Sequence, residues 1–487
     1  MRKQQTGRSR ASRAGVLAWH DSWWKPGERR TRTFDLTRLP YAPVTAPWFP
    51  ARLPSDAWLR DARVPAALLG DACGQQDADG LVRLDLHLED GRIAAVAPVG
   101  SAPDGVSLDG GQVWPGLVDG HVHLDKTEIW PRVANPSGTH AGAVEAVTAD
   151  RVANWSERDI EARFRFGLAC AFAHGTVAMR THLDSYWPHA RHGWAVFRRL
   201  RDEWAGRIDL QAVSLCPVDL YASEDGTHLA NLVADSGGVL GMVSGSRIGP
   251  GEELGPDFQA QLDHFFQLAE DRDLALDLHV DENGELGARS LRAIAETALR
   301  RGFRRPIQCG HTCSLAVQPD SYAAETIRLC REAGIAIIVL PMCNMYLQAR
   351  APGRTPRWRG ITLVHELRAA GVPVSYASDN CRDPFYAYGD YDLVEVYREA
   401  VRIAQLDHPW GNWPRAVCAT PAAALGLADT GTIRAGAPAD LILFRARSMT
   451  ELLARPQSDR VVLRAGQPCA AVPPDWRELD ALLGVRG

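Results

Sequence analysis

The stretch VWPGLVDGHVHLDKT, Val113 to Thr127, decides how this chain is read. An apolar run suited to a buried strand ends in His121-Val122-His123. Side chains at i and i+2 of a strand leave by the same face, so both imidazoles converge on one point. Neutral imidazole is the commonest metal ligand, although an isolated HxH more often marks satisfied core or surface histidines. Three other segments shift that balance: Leu278-His279-Val280-Asp281-Glu282, Gly310-His311-Thr312 and Ala377-Ser378-Asp379-Asn380. Each also stands where an apolar segment ends, so the four read as parts of one site.

Around these segments the chain alternates strand-like and helix-like patterns. Strands are expected at Val113–Leu124, Val177–Leu183, Leu210–Cys216, Val239–Val243, Leu274–Val280, Ile307–His311, Ile335–Leu340 and Val372–Ala377. Amphipathic stretches of helical length lie between them, at Glu157–His174, Ala195–Ala205, Phe258–Asp273, Leu286–Gly302 and Ser321–Gly334. Ser156 suits an N-cap, and Gly302 and Gly334 suit C-caps. Eight strands with interleaved helices predict an α/β fold, a (β/α)8 TIM barrel over residues 113–427, with active-site residues at the C-terminal strand ends. The four segments end the first, fifth, sixth and eighth expected strands. Short β patterns with turns at Asp79-Gly80 and Asp90-Gly91, and again at Gly431–Ile433, Ala439–Phe444 and Arg460–Arg464, flank this middle. They predict a small β-sandwich formed from both chain ends, residues 55–112 and 428–487. Residues 1–54 read as a basic, flexible N-terminal tail without the apolar core of a signal peptide.

Composition fits a soluble enzyme: 46% hydrophobic and 23% charged residues over 487 positions, with a net charge of −5. That balance gives no electrostatic reason to expect nucleic acid, and no run reaches the length of a membrane span. Ten scattered cysteines without CxxC spacing do not make a disulfide framework, and a cytoplasmic location is expected. Lysine occurs only at positions 3, 25 and 126.

Five motifs, HVHLDK (121–126), LDLHVDE (276–282), CGHTCSL (309–315), LPMCNMYLQ (340–348) and SDNCRDPFYAYGD (378–390), together resemble the amidohydrolase superfamily, specifically its cytosine deaminase-like branch. The resemblance runs from about Val113 to Leu427. It implies a mononuclear centre in which His121, His123, His279 and Asp379 hold one divalent ion, Zn²⁺ or Fe²⁺, with water in the open position. The segment Val239–Val243 has no lysine and none follows Lys126, so a lysine-bridged pair of metals is excluded.

The same resemblance implies hydrolytic deamination of a small nitrogen heterocycle. Asp379 would take a proton from water, Glu282 would protonate a ring nitrogen and then the leaving amine, and His311 would stabilise the developing oxyanion. Asn380, Asn344, Gln348, His182 and Trp130 are candidates for substrate contact, with Trp358 a second aromatic candidate. Arg382 and Asp383 are expected to form an ion pair. Val218 stands where cytosine deaminases carry a glutamine that reads the pyrimidine edge, and Asn380 where they carry a second aspartate. These departures argue against cytosine itself.

Taken singly, His279 and His311 could be core histidines, Glu282 a helix-entry charge and Asp379-Asn380 a turn. Two other functions stay open: hydrolysis of a cyclic amide or an N-alkylamino ring substituent, and, from a different class, a non-catalytic ligand-binding barrel. The expected partner is a small heterocycle, with neither nucleic acid nor membrane, and the chain is expected to form a homo-oligomer.

Overall fold

The computed structural model describes residues 48–71, 74–427 and 429–485. Most of the basic N-terminal stretch, residues 1–47, lies outside the described residues. Residues 48–53, assigned to that tail from sequence, bond to the far end of the chain: the Trp48 indole N–H donates to Asp459 O (2.9 Å) and the Leu53 amide to Gln467 Oε1 (3.2 Å).

The middle of the chain is α/β with parallel strands. β1 (Leu117–Val122), β2 (Thr176–Asp184) and β3 (Asp209–Leu215) form one sheet. β4 (Val243–Ser244), β5 (Leu276–Val280), β6 (Ile307–His311), β7 (Ile335–Val339) and β8 (Val374–Tyr376) form a second. Parallel bridges join the two on both sides, Val122 to Asp379 at one edge, and Val213 to Val239 and Pro217 to Val243 at the other. Every residue of β1, β5 and β6 is buried, the reason these strands read as continuous runs rather than as alternation.

Two expected strands differ in form. The run Val113–Leu124 is divided at Gly116: Gln112–Pro115 pairs antiparallel with Leu441–Phe444, and β1 starts at Leu117. The expected fourth strand, Val239–Val243, is reduced to β4 and isolated bridges. Its Gly241 amide is taken by Ser214 Oγ (3.0 Å) and its carbonyl by the Tyr221 hydroxyl (2.7 Å), so side chains replace the ladder there.

The helix Glu157–His174 forms with its expected bounds, capped by Ser156 Oγ accepting from the Asp159 amide. The helix His140–Asn154 was not foreseen, because its alanines and valines lack a clear apolar stripe. No helix among the described residues is long and apolar enough to cross a membrane. The nine described cysteines are free, and all but Cys469 are buried.

Both chain ends meet in one eight-stranded sheet. Its order along the path is Gln467–Pro468, Val461–Arg464, Leu441–Phe444, Gln112–Pro115, Asp56–Pro65, Leu81–Glu89, Arg92–Pro98, with Val106–Ser107 beside Asp56–Pro65. Arg460 ties this sheet to the helix Leu393–Ala404: its guanidinium donates to both oxygens of Asp392 (2.7 and 2.5 Å), and Asp392 Oδ1 also caps that helix through the Val394 amide. Burial opposes ionisation of Asp392, but Arg460 outweighs it and holds the carboxyl below its ordinary value. Arg460→Ala strands this carboxylate, so we expect about 3–5 kcal/mol of destabilisation at neutral pH. A depressed folded-state pKa stabilises above the unfolded value of ~3.9 and ceases to do so as pH falls through the folded value. Urea titrations at pH 7 and below pH 4 check this: the gap between wild type and variant must shrink in acid.

Candidate active site

The four ligand candidates come from three strands that lie far apart in sequence. His121 sits in β1 and His123 follows its end, His279 lies in β5, and Asp379 follows β8. The Asp379 amide donates to His121 O (3.0 Å), and Asp119 Oδ1 accepts the Ser378 amide (3.0 Å), so the first and last strands fix each other's ends. Asp379 and His311 both adopt positive φ (62° and 66°), a left-handed conformation that non-glycine residues hold only when their surroundings impose it.

His279 Nε2 lies 3.1 Å from His121 Nε2 and 3.2 Å from His123 Nε2. Asp379 Oδ1 lies 3.1 Å from His123 Nε2 and 3.7 Å from His121 Nε2. Ligands about 2.1 Å from a tetrahedral ion stand ~3.4 Å from one another, so these atoms are spaced for a shared cation. Hydrogen bonding does not account for them, since neither oxygen of Asp379 has a hydrogen-bond partner among the described residues. His123 Nδ1 faces His182 O (3.3 Å), which places its proton there and leaves the Nε2 lone pair free. Burial, reinforced by neighbouring positive charge, holds His121, His123 and His279 well below the ordinary imidazole value, so all three are in the ligating form. Burial, and then the charge of Glu282, push the Asp379 carboxyl well above the usual range, a penalty that a cation would remove.

Glu282 stands beside this centre. Its Oε1 is 3.5 Å from His311 Nδ1 and its Oε2 is 3.5 Å from His140 Nε2. Burial opposes its ionisation, but His311, His140 and Lys126 outweigh that and hold its carboxyl below the ordinary value. Asn344 Nδ2 donates to Glu282 Oε1 (3.4 Å) and meets His311 Nδ1 (2.9 Å); Gln348 Nε2 donates to Glu282 O (3.0 Å). The Asn344 contact assigns the His311 proton to Nε2, which has no partner among the described residues. Burial also lowers the His311 pKa and Glu282 opposes this; with or without the second proton on Nδ1, Nε2 carries a hydrogen to donate.

A cavity of about 370 Å³ opens over these groups and is lined by His123, His279, Glu282, His311, Asp379 and Asn380. Val218 and Phe385 supply apolar wall. Five residues considered for substrate contact lie elsewhere. His182 packs against His121 with the rings tilted by 32° and their centroids 3.9 Å apart, its Nε2 3.2 Å from Asp277 Oδ1. Asn344 and Gln348 brace Glu282 and His311 from behind. Trp130 lies outside the cavity lining, its amide tied to Arg382 O (2.8 Å). Trp358 packs over Gly284, also outside it. The expected Arg382–Asp383 pair is not formed. Arg382 Nε binds Glu128 Oε2 (2.8 Å), and Asp383 accepts from Asn380 Nδ2 (2.6 Å) and from the Phe385 and Tyr386 amides.

Sequence reasoning also passed over two cavity residues. His140 belongs to none of the five motifs. Lys126 was noted only for its rarity, yet it is buried, with Nζ donating to Asp184 Oδ1 (2.9 Å) while Arg151 holds Asp184 Oδ2 (2.7 Å). A lone lysine three residues after an HxH, in a chain that otherwise uses arginine, was the available signal.

The amidohydrolase family pattern matches residues 236–470. The pterin deaminase of Rhizobium rhizogenes is 49% identical over 431 residues, 88% of this chain and 97% of that protein. The chain belongs to the amidohydrolase family. As an amidohydrolase it is a hydrolase of carbon–nitrogen bonds other than peptide bonds, as the motifs from His121 to Asp390 led us to expect. N-isopropylammelide isopropyl amidohydrolase of Pseudomonas sp. is 24% identical over 356 residues, 72% of this chain and 83% of that protein. In fold, this amidohydrolase is similar to the crystal structure of 5-methylcytosine deaminase from Klebsiella pneumoniae, with a TM-score of 0.70 at 24% identity over 84% of this chain and 96% of that one.

Proposed function

We propose that this amidohydrolase removes the exocyclic amine of a pterin, a fused pyrimidine–pyrazine ring system, by hydrolysis. The observation that carries the reading is Glu282: a buried carboxylate held ionised beside a four-ligand His/Asp centre, in the cavity a substrate would enter. The likeness to a pterin deaminase over nearly the whole of both chains supports the choice of ring. We propose further that β1–β8 close as a (β/α)8 barrel over residues 113–427, with the two chain ends forming a small sandwich domain against it.

His121, His123, His279 and Asp379 would hold one divalent ion, Zn²⁺ or Fe²⁺, which when bound supplies Lewis acidity and a water acidified toward ~7. Asp379 accepts a proton from the attacking water through its free carboxylate oxygen. Glu282, ionised at rest, takes the other proton of that water and passes it to the ring nitrogen beside the amine-bearing carbon, which makes that carbon electrophilic; the proton held by Asp379 is then handed through Glu282 to the departing amine, so both carboxylates end ionised. His311 aims Nε2–H at the oxygen on which negative charge develops, and Asn344 keeps the proton on that nitrogen. The apolar wall at Val218 and Phe385 accepts the faces and edge of a flat ring.

Incubation with pterin, cytosine and N-isopropylammelide tests the reading. Stoichiometric ammonia from pterin, with the deaminated dioxo ring as co-product, is expected. Isopropylamine from N-isopropylammelide without ammonia from pterin would move the assignment to N-alkyl cleavage.

A further inference from the structure

The cavity carries a second kind of chemistry at its mouth. Glu282, His311 and Asp379 are buried, whereas Arg247, which lines the same cavity, is exposed. Its backbone is firmly placed. The Ile248 amide donates to Gly245 O (3.2 Å), closing a tight turn with Arg247 inside it. Asn283, the residue after Glu282, donates from Nδ2 to both Gly245 O (2.7 Å) and Ile248 O (3.3 Å), clasping the two ends of that turn. Gly245 has φ +73° and sits so close to Asp281 that a Cβ there would fall 2.0 Å from Asp281 Oδ1. The turn is therefore built onto the segment that carries Glu282, and the distance between the Arg247 backbone and the reacting end of the cavity is fixed.

The guanidinium of Arg247 has no ion-pair partner within 4.0 Å among the described residues. Asp184, on the same cavity, has both oxygens engaged by Lys126 and Arg151. Asp219 and Asp257 also line the cavity, and neither pairs with Arg247. A planar fork of donors held at the rim of an apolar-walled cavity matches a carboxylate, which it can bind through two parallel hydrogen bonds.

We propose that Arg247 is the receptor for an anionic substituent, a carboxylate, carried by the heterocycle on the edge opposite the amine that is removed. The inference rests on the deaminase reading above and narrows its substrate class. With the amine-bearing carbon beside Glu282 on the cavity floor, the pyrazine ring of a pterin points to the mouth, and a substituent on that ring projects toward Arg247.

The test compares two pterins that differ only in the pyrazine substituent, one bearing a carboxylate and one a neutral hydroxymethyl group. The readout is the ratio of their kcat/KM values in wild type, R247Q and R247K, together with calorimetric affinity for the deaminated carboxylate product. In R247Q the ratio should fall about tenfold to a hundredfold, as expected for losing a charge-assisted pair. R247K should lie between, because an ammonium keeps the charge and loses the fork. Product affinity should fall in parallel. A ratio and product affinity that survive R247Q overturn the receptor role while leaving the deaminase reading intact. A wild-type enzyme that releases ammonia from neither pterin overturns both.

Discussion

Glu282→Gln should lower kcat for pterin deamination by about 10²- to 10⁴-fold while the protein keeps a full complement of metal. The substitution preserves volume, and its amide oxygen can still accept from Asn344. Glu282 is three residues from His279 and is not among the four ligand candidates, so the metal set is untouched. What disappears is a group that can pick up and release a proton at the ring nitrogen and at the amine. Metal content per chain and single-turnover ammonia release check the two halves of this statement separately. Turnover within tenfold of wild type would remove Glu282 from proton transfer, and loss of metal would mean that it belongs to the ligand set. The same variant separates an enzyme from a non-catalytic binding protein, whose ligand affinity has no reason to depend on this proton.

Chelation should abolish activity and also weaken the fold, with Zn²⁺ or Fe²⁺ restoring both. Asp379 is buried with neither oxygen hydrogen-bonded among the described residues, and beside it His279 Nε2 lies 3.1 Å from His121 Nε2 and 3.2 Å from His123 Nε2. Removing a cation leaves those charges and lone pairs uncompensated. A cation present at a hundredfold excess over its Kd adds about 2.7 kcal/mol to the stability of the folded state. Denaturant unfolding with and without added ion, on wild type and on Asp379→Ala, measures this: wild type should respond and the variant should lose the response. Full activity in exhaustively chelated protein would refute the four-ligand centre.

Much of this could be read before any coordinates. Strands β5 and β6 are buried on both faces, so their apolar runs stand out, and the histidines and carboxylate that break those runs mark the strand ends. The split at Gly116 was hidden because the residues on both sides of it, Val113–Val118, are apolar, and only the partner strand Leu441–Phe444 shows that the first part leaves for another sheet. The helix His140–Asn154 escaped for lack of periodicity, and with it went His140, whose approach to Glu282 depends on where that helix lands. Side-chain direction was the other gap. Asn344 and Gln348 sit where the motif places them, but they turn toward Glu282 and His311 rather than into the cavity. Arg382 turns to Glu128, a partner 254 positions away that no local pattern could suggest.

The eight-stranded sheet has a consequence for how the molecule comes into being. Gln112 reaches Ser448 across 336 positions, and the strand Gln112–Pro115 that precedes β1 finds its neighbour only in Leu441–Phe444. On the ribosome, the chain emerges N-terminus first at about 5–20 residues per second. Strands β1 to β8 and all four proposed ligand residues are thus made before the segment that seals the base of β1. At that rate the nascent polypeptide carries a nearly complete candidate site on an unsealed foundation for several seconds, and the edge of Gln112–Pro115 stays open to other strands for some tens of seconds. Leu441–Phe444 closes that edge only after β1 to β8 have been made, so the order of translation makes this pairing a late step of assembly.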